Sequence, residues 1–268
     1  MLKDITLGQY FPGNSIAHKL DPRTKILLVT LYIIALFSAN GWMGYAVMAV
    51  TLAACVKVSH VGLRALVRGL KPLVFIIAFT GILNMFFTPD THYLWEWGIL
   101  RVSVNGIENA LFMVIRIMLL VMGTFLMTYT TSPIRLTDGL ESLLNPLKKI
   151  RVPVHELAMM MAIALRFIPT LIEETDKIMS AQKARGADFD SGNIFQKAKA
   201  LVPILVPLFI SAFRRADELA TAMECRCYHG GEGRTKLHVL KYQRRDYVSL
   251  AGGVVILALV VVLRRLGA

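Results

Sequence analysis

The stretch DKIMSAQKARG at residues 176–186 returns 41 positions later as DELATAMECRC at residues 217–227. In this frame Asp176 matches Asp217, Ile178 matches Leu219, Ser180 matches Thr221, Ala181 matches Ala222, and Arg185 matches Arg226. Good helix formers fill both copies, and Gly186 stands where a helix normally stops. Each copy therefore reads as the last turns of a helix that offers a guanidinium near its C-terminal end. The helix dipole favours a cation there by only about 0.3–1 kcal/mol. That accounts for one arginine better than for two in matched frames, so the pair reads as docking points. Upstream in both copies, Glu173-Glu174 and Arg214-Arg215 occupy matched places with opposite sign. Were the two helices to cross, these charges would pair and set the register, since exposed ion pairs add only about 0–1 kcal/mol.

Around this repeat, residues 133–246 read as long amphipathic helices punctuated by Pro and Gly. Ser132-Pro133 and Asn145-Pro146 bracket a short helix. Pro153 opens a long one, with Leu157, Met161, Leu165, Ile168 and Ile172 on one stripe at helical spacing. Pro169 is expected to kink or divide it. After Gly186 comes a short acidic turn with Asp188 and Asp190, and Ile194 begins a helix that Pro203 and Pro207 are expected to interrupt before it reaches Arg226. From Leu201 to Phe213 this helix is apolar around much of its girth, so it must bury against membrane or a partner. Met159, Met160 and Met161 suit either an adaptable docking surface or an ordinary core.

Composition places the rest of the chain in a membrane. Of 268 residues 55% are hydrophobic and mean hydropathy is +0.56, above the usual soluble range. The net charge of +12 gathers largely at the edges of apolar runs, so the positive-inside rule explains it without nucleic acid. Two short runs, 26–39 and 42–58, are joined by Asn40-Gly41 and read as a helical hairpin through a thin or tilted region. Pro72 opens a third run at 73–88. Residues 89–106 are rich in aromatic and polar groups (Asp90, His92, Tyr93, Trp95, Glu96, Trp97) and suit the outer interface. Runs 107–129 and 247–263 complete five spans. The odd count puts Arg264 and Arg265 outside, against the charge rule. Domain limits follow: 1–132 for the first four spans, 133–246 for a cytoplasmic coupling domain, and 247–268 for the last span. The fold class is all-α and polytopic.

Enzymatic motifs fail on inspection. His155-Glu156 starts like a zinc-protease helix, but Met159 stands where the second histidine is needed. Cys225, Cys227 and His229 fall one ligand short of a structural zinc site, which only His238 could supply by a bend of the loop. No metal site is expected. The run Gly230 to Thr235 lacks the lysine and the strand-to-helix setting of a phosphate loop. Three cysteines give no disulfide framework. The polar, turn-rich first 25 residues do not resemble a cleavable signal peptide. A self-sufficient secondary transporter is the alternative reading. It needs ionisable or broken-helix sites in paired halves at the midplane, and only Asn84 and Arg116 approach that. An intramembrane arginine is a functional candidate by default, with Glu108 as a possible partner.

Nearly end to end, the chain resembles the EcfT family, the transmembrane coupling components of energy-coupling factor vitamin transporters. Leu20-Asp21-Pro22-Arg23-Thr24-Lys25 is similar to the family's N-terminal signature, and residues 165–174 (LRFIPTLIEE) are similar to its cytoplasmic helix. Most specific are the paired Ala-Arg-Gly motifs that end two crossed coupling helices. The first is intact as Ala184-Arg185-Gly186; the second departs to Cys225-Arg226-Cys227, which puts its helix-ending glycine in question. The resemblance implies that each arginine enters a groove on one of two ABC-type ATPase subunits, EcfA and EcfA′, which bind the ATP and magnesium. It implies no cofactor in this chain, a place in the cell membrane, and an exchangeable substrate-binding membrane subunit, the S component, held on the same domain's apolar surface. On that basis Leu201, Pro203, Pro207 and Phe209 are the candidate receptor platform. Asp176, Asp217, Glu173 and Arg214 are candidates for orienting the helices.

Overall fold

The computed structural model describes residues 10–88, 93–97, 100–187, 189, 193–230 and 239–266. The acidic turn at Asp188 and Asp190, the glycine-rich run 231–235, His238, Asp90 and His92 lie outside the described residues. The chain divides into two compact units, one within residues 141–239 and one within 8–140 and 240–268.

The second unit holds α1 (Ile16–Lys19), α2 (Pro22–Ser38), α3 (Gly41–Ser59), α4 (Leu63–Leu70), α5 (Val74–Phe87), α6 (Val104–Thr130) and the last helix, α10 (Arg244–Arg265). Between α5 and α6 a short antiparallel hairpin pairs β1 (Tyr93–Trp97) with β2 (Leu100–Ser103), Trp97 opposite Leu100. The remaining helices are α7 (Pro133–Leu144), whose first residues belong to this unit, α8 (Val154–Ala184) and α9 (Ile194–Cys225).

Among the described residues, five helical stretches are long and apolar enough to cross a membrane: Gly41–Ser59, Leu63–Phe87, Val104–Thr130, Val154–Ala184 and Arg244–Arg265. The number agrees with the five runs read from the sequence, but the membership differs. At 17 residues α2 is shorter than the roughly 20 that cross alone, while the apolar part of α8 qualifies. In place of the single run 73–88, α4 and α5 follow each other through one tight turn at Lys71–Leu73, where Pro72 sits.

The long helix α6 is the hub, packing against α2, α3, α4 and α5, while α10 lies along α2. Leu36, Met48, Leu66, Leu119 and Val260 are buried at this core. Glycine lets α2 approach: a Cβ at Gly123 of α6 would stand 2.5 Å from the Tyr32 ring. The Tyr32 hydroxyl then donates to the Leu119 carbonyl at 3.0 Å. Arg116 does not pair with Glu108. Its Nε donates to the Tyr45 hydroxyl at 2.9 Å, and its guanidinium lies 5.7 Å from the Phe37 ring. A hydroxyl and an aromatic face partly replace water around a cation that lipid cannot solvate.

The N-terminal signature is a junction. Asp21 caps α2 and accepts from the Arg23 amide at 2.9 Å, while the Arg23 guanidinium forks back onto the Asp21 carboxylate at 3.0 Å. Arg23 also lies over the Tyr242 ring at 4.0 Å. The carboxylate of Asp246, 1% exposed, accepts from the Asp21 amide at 2.9 Å and from the Gln243 amide at 2.8 Å. Gln243 and Asp246 form a capping box, so one acidic side chain both starts α10 and holds it to the start of α2. Hydrogen bonds to charged groups contribute about 1.5–3 kcal/mol each. Asp246→Ala is therefore expected to destabilise this unit by about 2–3 kcal/mol. The check is a lower midpoint of thermal unfolding in detergent than for Asp246→Asn, which keeps one acceptor oxygen.

Candidate functional site

The unit within 141–239 is built on α8 and α9, which pack against each other. Pro153 occupies the N-cap of α8. His155, in the first turn, meets the Glu141 carboxylate at 3.1 Å. The expected division by proline does not occur: Pro169 lies inside a continuous α8, and Pro203 and Pro207 lie inside a continuous α9. The physical reason is visible in α9. Proline at 207 has no N–H to offer the carbonyl four residues back, and that carbonyl, of Pro203, accepts instead from the Gln182 side chain of α8 at 3.3 Å. The interruption in one helix becomes the attachment point for the other.

A second contact fixes the geometry. Arg215 of α9 meets Glu174 of α8 at 3.2 Å. Toward the C-terminus of α8 the contacts move from Glu174 to Gln182, and on α9 they move back from Arg215 to Pro203, so the helices run antiparallel. Glu174 and Arg215 are themselves 41 positions apart and occupy equivalent places in the repeat. Identical charges at these equivalent positions would repel; the opposite signs turn their meeting into an ion pair. Glu173 and Arg214, one position earlier, are exposed instead.

From this crossing the two arms are equal. Arg185 lies 11 residues beyond Glu174, and Arg226 lies 11 residues beyond Arg215. At 1.5 Å per residue each arm is about 16 Å long, and because the helices run antiparallel the tips stand on the order of 30 Å apart.

Both tips close in the same way. On α8 the Gly186 amide donates to the Lys183 carbonyl at 3.0 Å and the Ala187 amide to the Gln182 carbonyl at 3.0 Å. On α9 the Cys227 amide donates to the Glu224 carbonyl at 2.8 Å and the Tyr228 amide to the Met223 carbonyl at 3.0 Å. This is the Schellman pattern in both copies, with Arg185 and Arg226 at the C-cap. Gly186 has φ +85°, and Cys227 takes the same left-handed region at φ +54°. The departure from glycine thus leaves the helix ending unchanged, at a conformational cost of about 1–2 kcal/mol for a residue with a Cβ.

Ala184, Arg185, Gly186, Cys225, Arg226 and Cys227 are all exposed. Asp176 and Asp217 act through their carbonyls, which accept from Ser180 at 2.7 Å and Thr221 at 2.9 Å, again at equivalent positions. On α9 Leu201, Pro203 and Phe209 are exposed and Pro207 is half-buried, beside exposed Val206, Ile210 and Phe213. Such a contiguous apolar face marks an interaction surface. Among the described residues no group of three or more His, Cys, Asp or Glu gathers for a metal ion.

Sequence reasoning missed Gln182 as the residue that holds the crossing. The signal was present: an intrahelical proline always frees the carbonyl four residues before it, so Pro207 announced an acceptor at Pro203.

Apolar helices of spanning length, beside a crossed pair ending in two equivalent arginines, describe a multi-pass membrane protein. Residues 13–237 match the CbiQ family, described as cobalt transport protein. The chain is 53% identical to a protein of Ruminiclostridium cellulolyticum over 98% of both chains. It is 56% identical to one of Acidaminococcus fermentans over 98% of this chain and 97% of that one. A protein of Bacillus subtilis is 47% identical over 98% of this chain and its own full length. Each of these relatives is named energy-coupling factor transporter transmembrane protein EcfT. The chain belongs to this family.

Two outcomes test the local geometry. Cys227→Gly removes the left-handed penalty against glycine's greater unfolded freedom, for a net gain of about 0.5–1 kcal/mol; slower hydrogen exchange of the Tyr228 amide is the readout. At the crossing, the single changes Glu174→Arg and Arg215→Glu are expected each to cost about 1 kcal/mol, and the exchanged double variant to recover most of it. A thermal-unfolding double-mutant cycle measures that coupling.

Proposed function

We propose that this chain is the non-catalytic scaffold of an energy-coupling factor importer, in which two cytoplasmic ABC-type ATPase subunits hydrolyse ATP. The chain passes their movement to an exchangeable substrate-binding membrane subunit, which takes up a vitamin or other micronutrient. The observation that carries this reading is the pair of exposed arginine tips on equal arms either side of the Glu174–Arg215 crossing. Two similar motor subunits offer two similar grooves, and the repeat supplies two matching tips.

Chemistry supports the rest. A guanidinium stays charged when desolvated and matches a carboxylate with two parallel hydrogen bonds. A crossing held by the Gln182–Pro203 hydrogen bond and the Glu174–Arg215 ion pair moves as one body, so closure of an ATPase pair swings both arms together. The apolar face of α9 at Leu201, Pro203, Pro207 and Phe209 is where the substrate-binding subunit rests and is tipped. The unit within 141–239 then lies on the cytoplasmic side, α8 included despite its spanning length, its apolar stretch serving contact with α9 and the partners. ATP and magnesium stay with the ATPases, and substrate choice lies in the other membrane subunit.

Co-purification from the membrane tests the proposal. Arg185→Ala or Arg226→Ala alone is expected to weaken ATPase retention by about 30-fold or more, the consequence of orphaning a buried charge. The double change to Glu is expected to release both ATPases and abolish uptake while the chain stays folded by circular dichroism. Full assembly and full uptake after the double change would sink the lever.

A further inference from the structure

A cavity of about 370 Å³ opens among α1, α2, α3, α6 and α10, and nothing in the coupling role uses it. Its walls are mostly apolar, including Leu28, Val29, Leu52, Met127 and Ile256, with Thr51 and Tyr32 along them and three further polar groups near helix ends. Lys25 stands in the first turn of α2, Thr130 ends α6, and Ser249 is in the second turn of α10. On the other side of the α1 turn, Lys19 and Arg135 line a polar pocket with His18. The cavity is thus apolar over nearly all its wall, with Lys25 as its one cationic lining residue and further cations in the neighbouring pocket.

Lys25 gives the cavity its charge. The residue is only 6% exposed, and its ammonium donates to the Thr130 carbonyl at 2.8 Å and the Thr131 hydroxyl at 3.0 Å. Both acceptors are neutral, and no ion pair to Lys25 occurs among the described residues. An ammonium has three donors, so one remains, on a buried cation that no anion contacts directly; the Asp246 carboxylate attracts it only through space. Burying such a charge is costly unless an anion completes it.

One turn beyond Ser249, glycine leaves part of the wall open. A Cβ at Gly252 of α10 would meet nothing within 4 Å, so this position leaves the space open. The cavity is of small-ligand size, with an apolar wall suited to an acyl chain.

We propose that this cavity binds an anionic phospholipid of the bilayer, with an acyl chain against Gly252 and the phosphate at Lys25. Lys19 and Arg135 add attraction for the same headgroup. The proposal does not depend on the coupling function, since every residue in it belongs to the unit within 8–140 and 240–268.

The test is native mass spectrometry of the delipidated full chain, titrated with phosphatidylglycerol or phosphatidylcholine of identical chains. One phosphatidylglycerol is expected to stay bound, about tenfold tighter than phosphatidylcholine. Gly252→Leu fills the open space with a better helix former, so it folds and is expected to lose this lipid. Lys25→Gln is expected to bind both lipids equally. Equal retention of the two lipids by the unaltered chain, or undiminished phosphatidylglycerol on Gly252→Leu, overturns the proposal. A second readout uses Cys55, which lines the cavity. With Cys225→Ser and Cys227→Ser, its alkylation by a membrane-permeant maleimide is expected to slow several-fold on adding phosphatidylglycerol. Equal protection in the lipid-free protein once partner subunits are added would show that a protein segment is the occupant, and also overturns it.

Discussion

Two equivalent positions of an internal repeat, Glu174 and Arg215, meet where α8 and α9 cross. Had both copies kept one charge there, the meeting would repel. Here the copies have diverged to opposite charge, and the meeting becomes attractive. The pair is partly exposed and contributes at most about 1 kcal/mol, so its work is register. The Gln182–Pro203 hydrogen bond adds direction, and it exists because Pro207 leaves a carbonyl unclaimed. A proline inside a helix costs about 3 kcal/mol against alanine, a cost partly offset when the freed carbonyl finds a donor on the neighbouring helix. From these two contacts the antiparallel sense, the equal arms and the separation of Arg185 and Arg226 all follow.

The tips show how backbone geometry outlasts side-chain identity. Gly186 and Cys227 share one left-handed C′ position and one pair of closing hydrogen bonds. The guanidinium of each C-cap residue is therefore offered from the same backbone frame in both copies. What the substitution changes is the cost, because a Cβ crowds the carbonyl in that region.

The other unit is governed by α2, a helix of 17 residues, too short to span a full bilayer alone, that is held at its start and flanked along its length. Asp246 joins its first turn to that of α10, Lys25 reaches the end of α6, and Tyr32 enters the gap left by Gly123. Hydrogen bonds at the polar end and close packing below it let a short, apolar helix keep one position where the hydrophobic effect between helices is absent.

Much of this was legible in the residues. The apolar runs and their flanking cations gave the membrane class, the 41-residue offset gave the repeat, and Arg185 and Arg226 stood out because the offset matched them. The end of α8 was readable because caps are local: Gly186 closes carbonyls within a turn, whereas the Gln243–Asp246 box emerged only with the fold. The sequence did not say that Glu174 pairs with Arg215 rather than Glu173 with Arg214, that Arg116 takes Tyr45 rather than Glu108, or that Asp246 reaches Asp21. Those choices depend on which faces of distant helices meet. A shift of one residue turns a side chain by about 100° around the helix, so the sequence alone determined the helices, their ends and their charges, while only tertiary packing decided which charges meet.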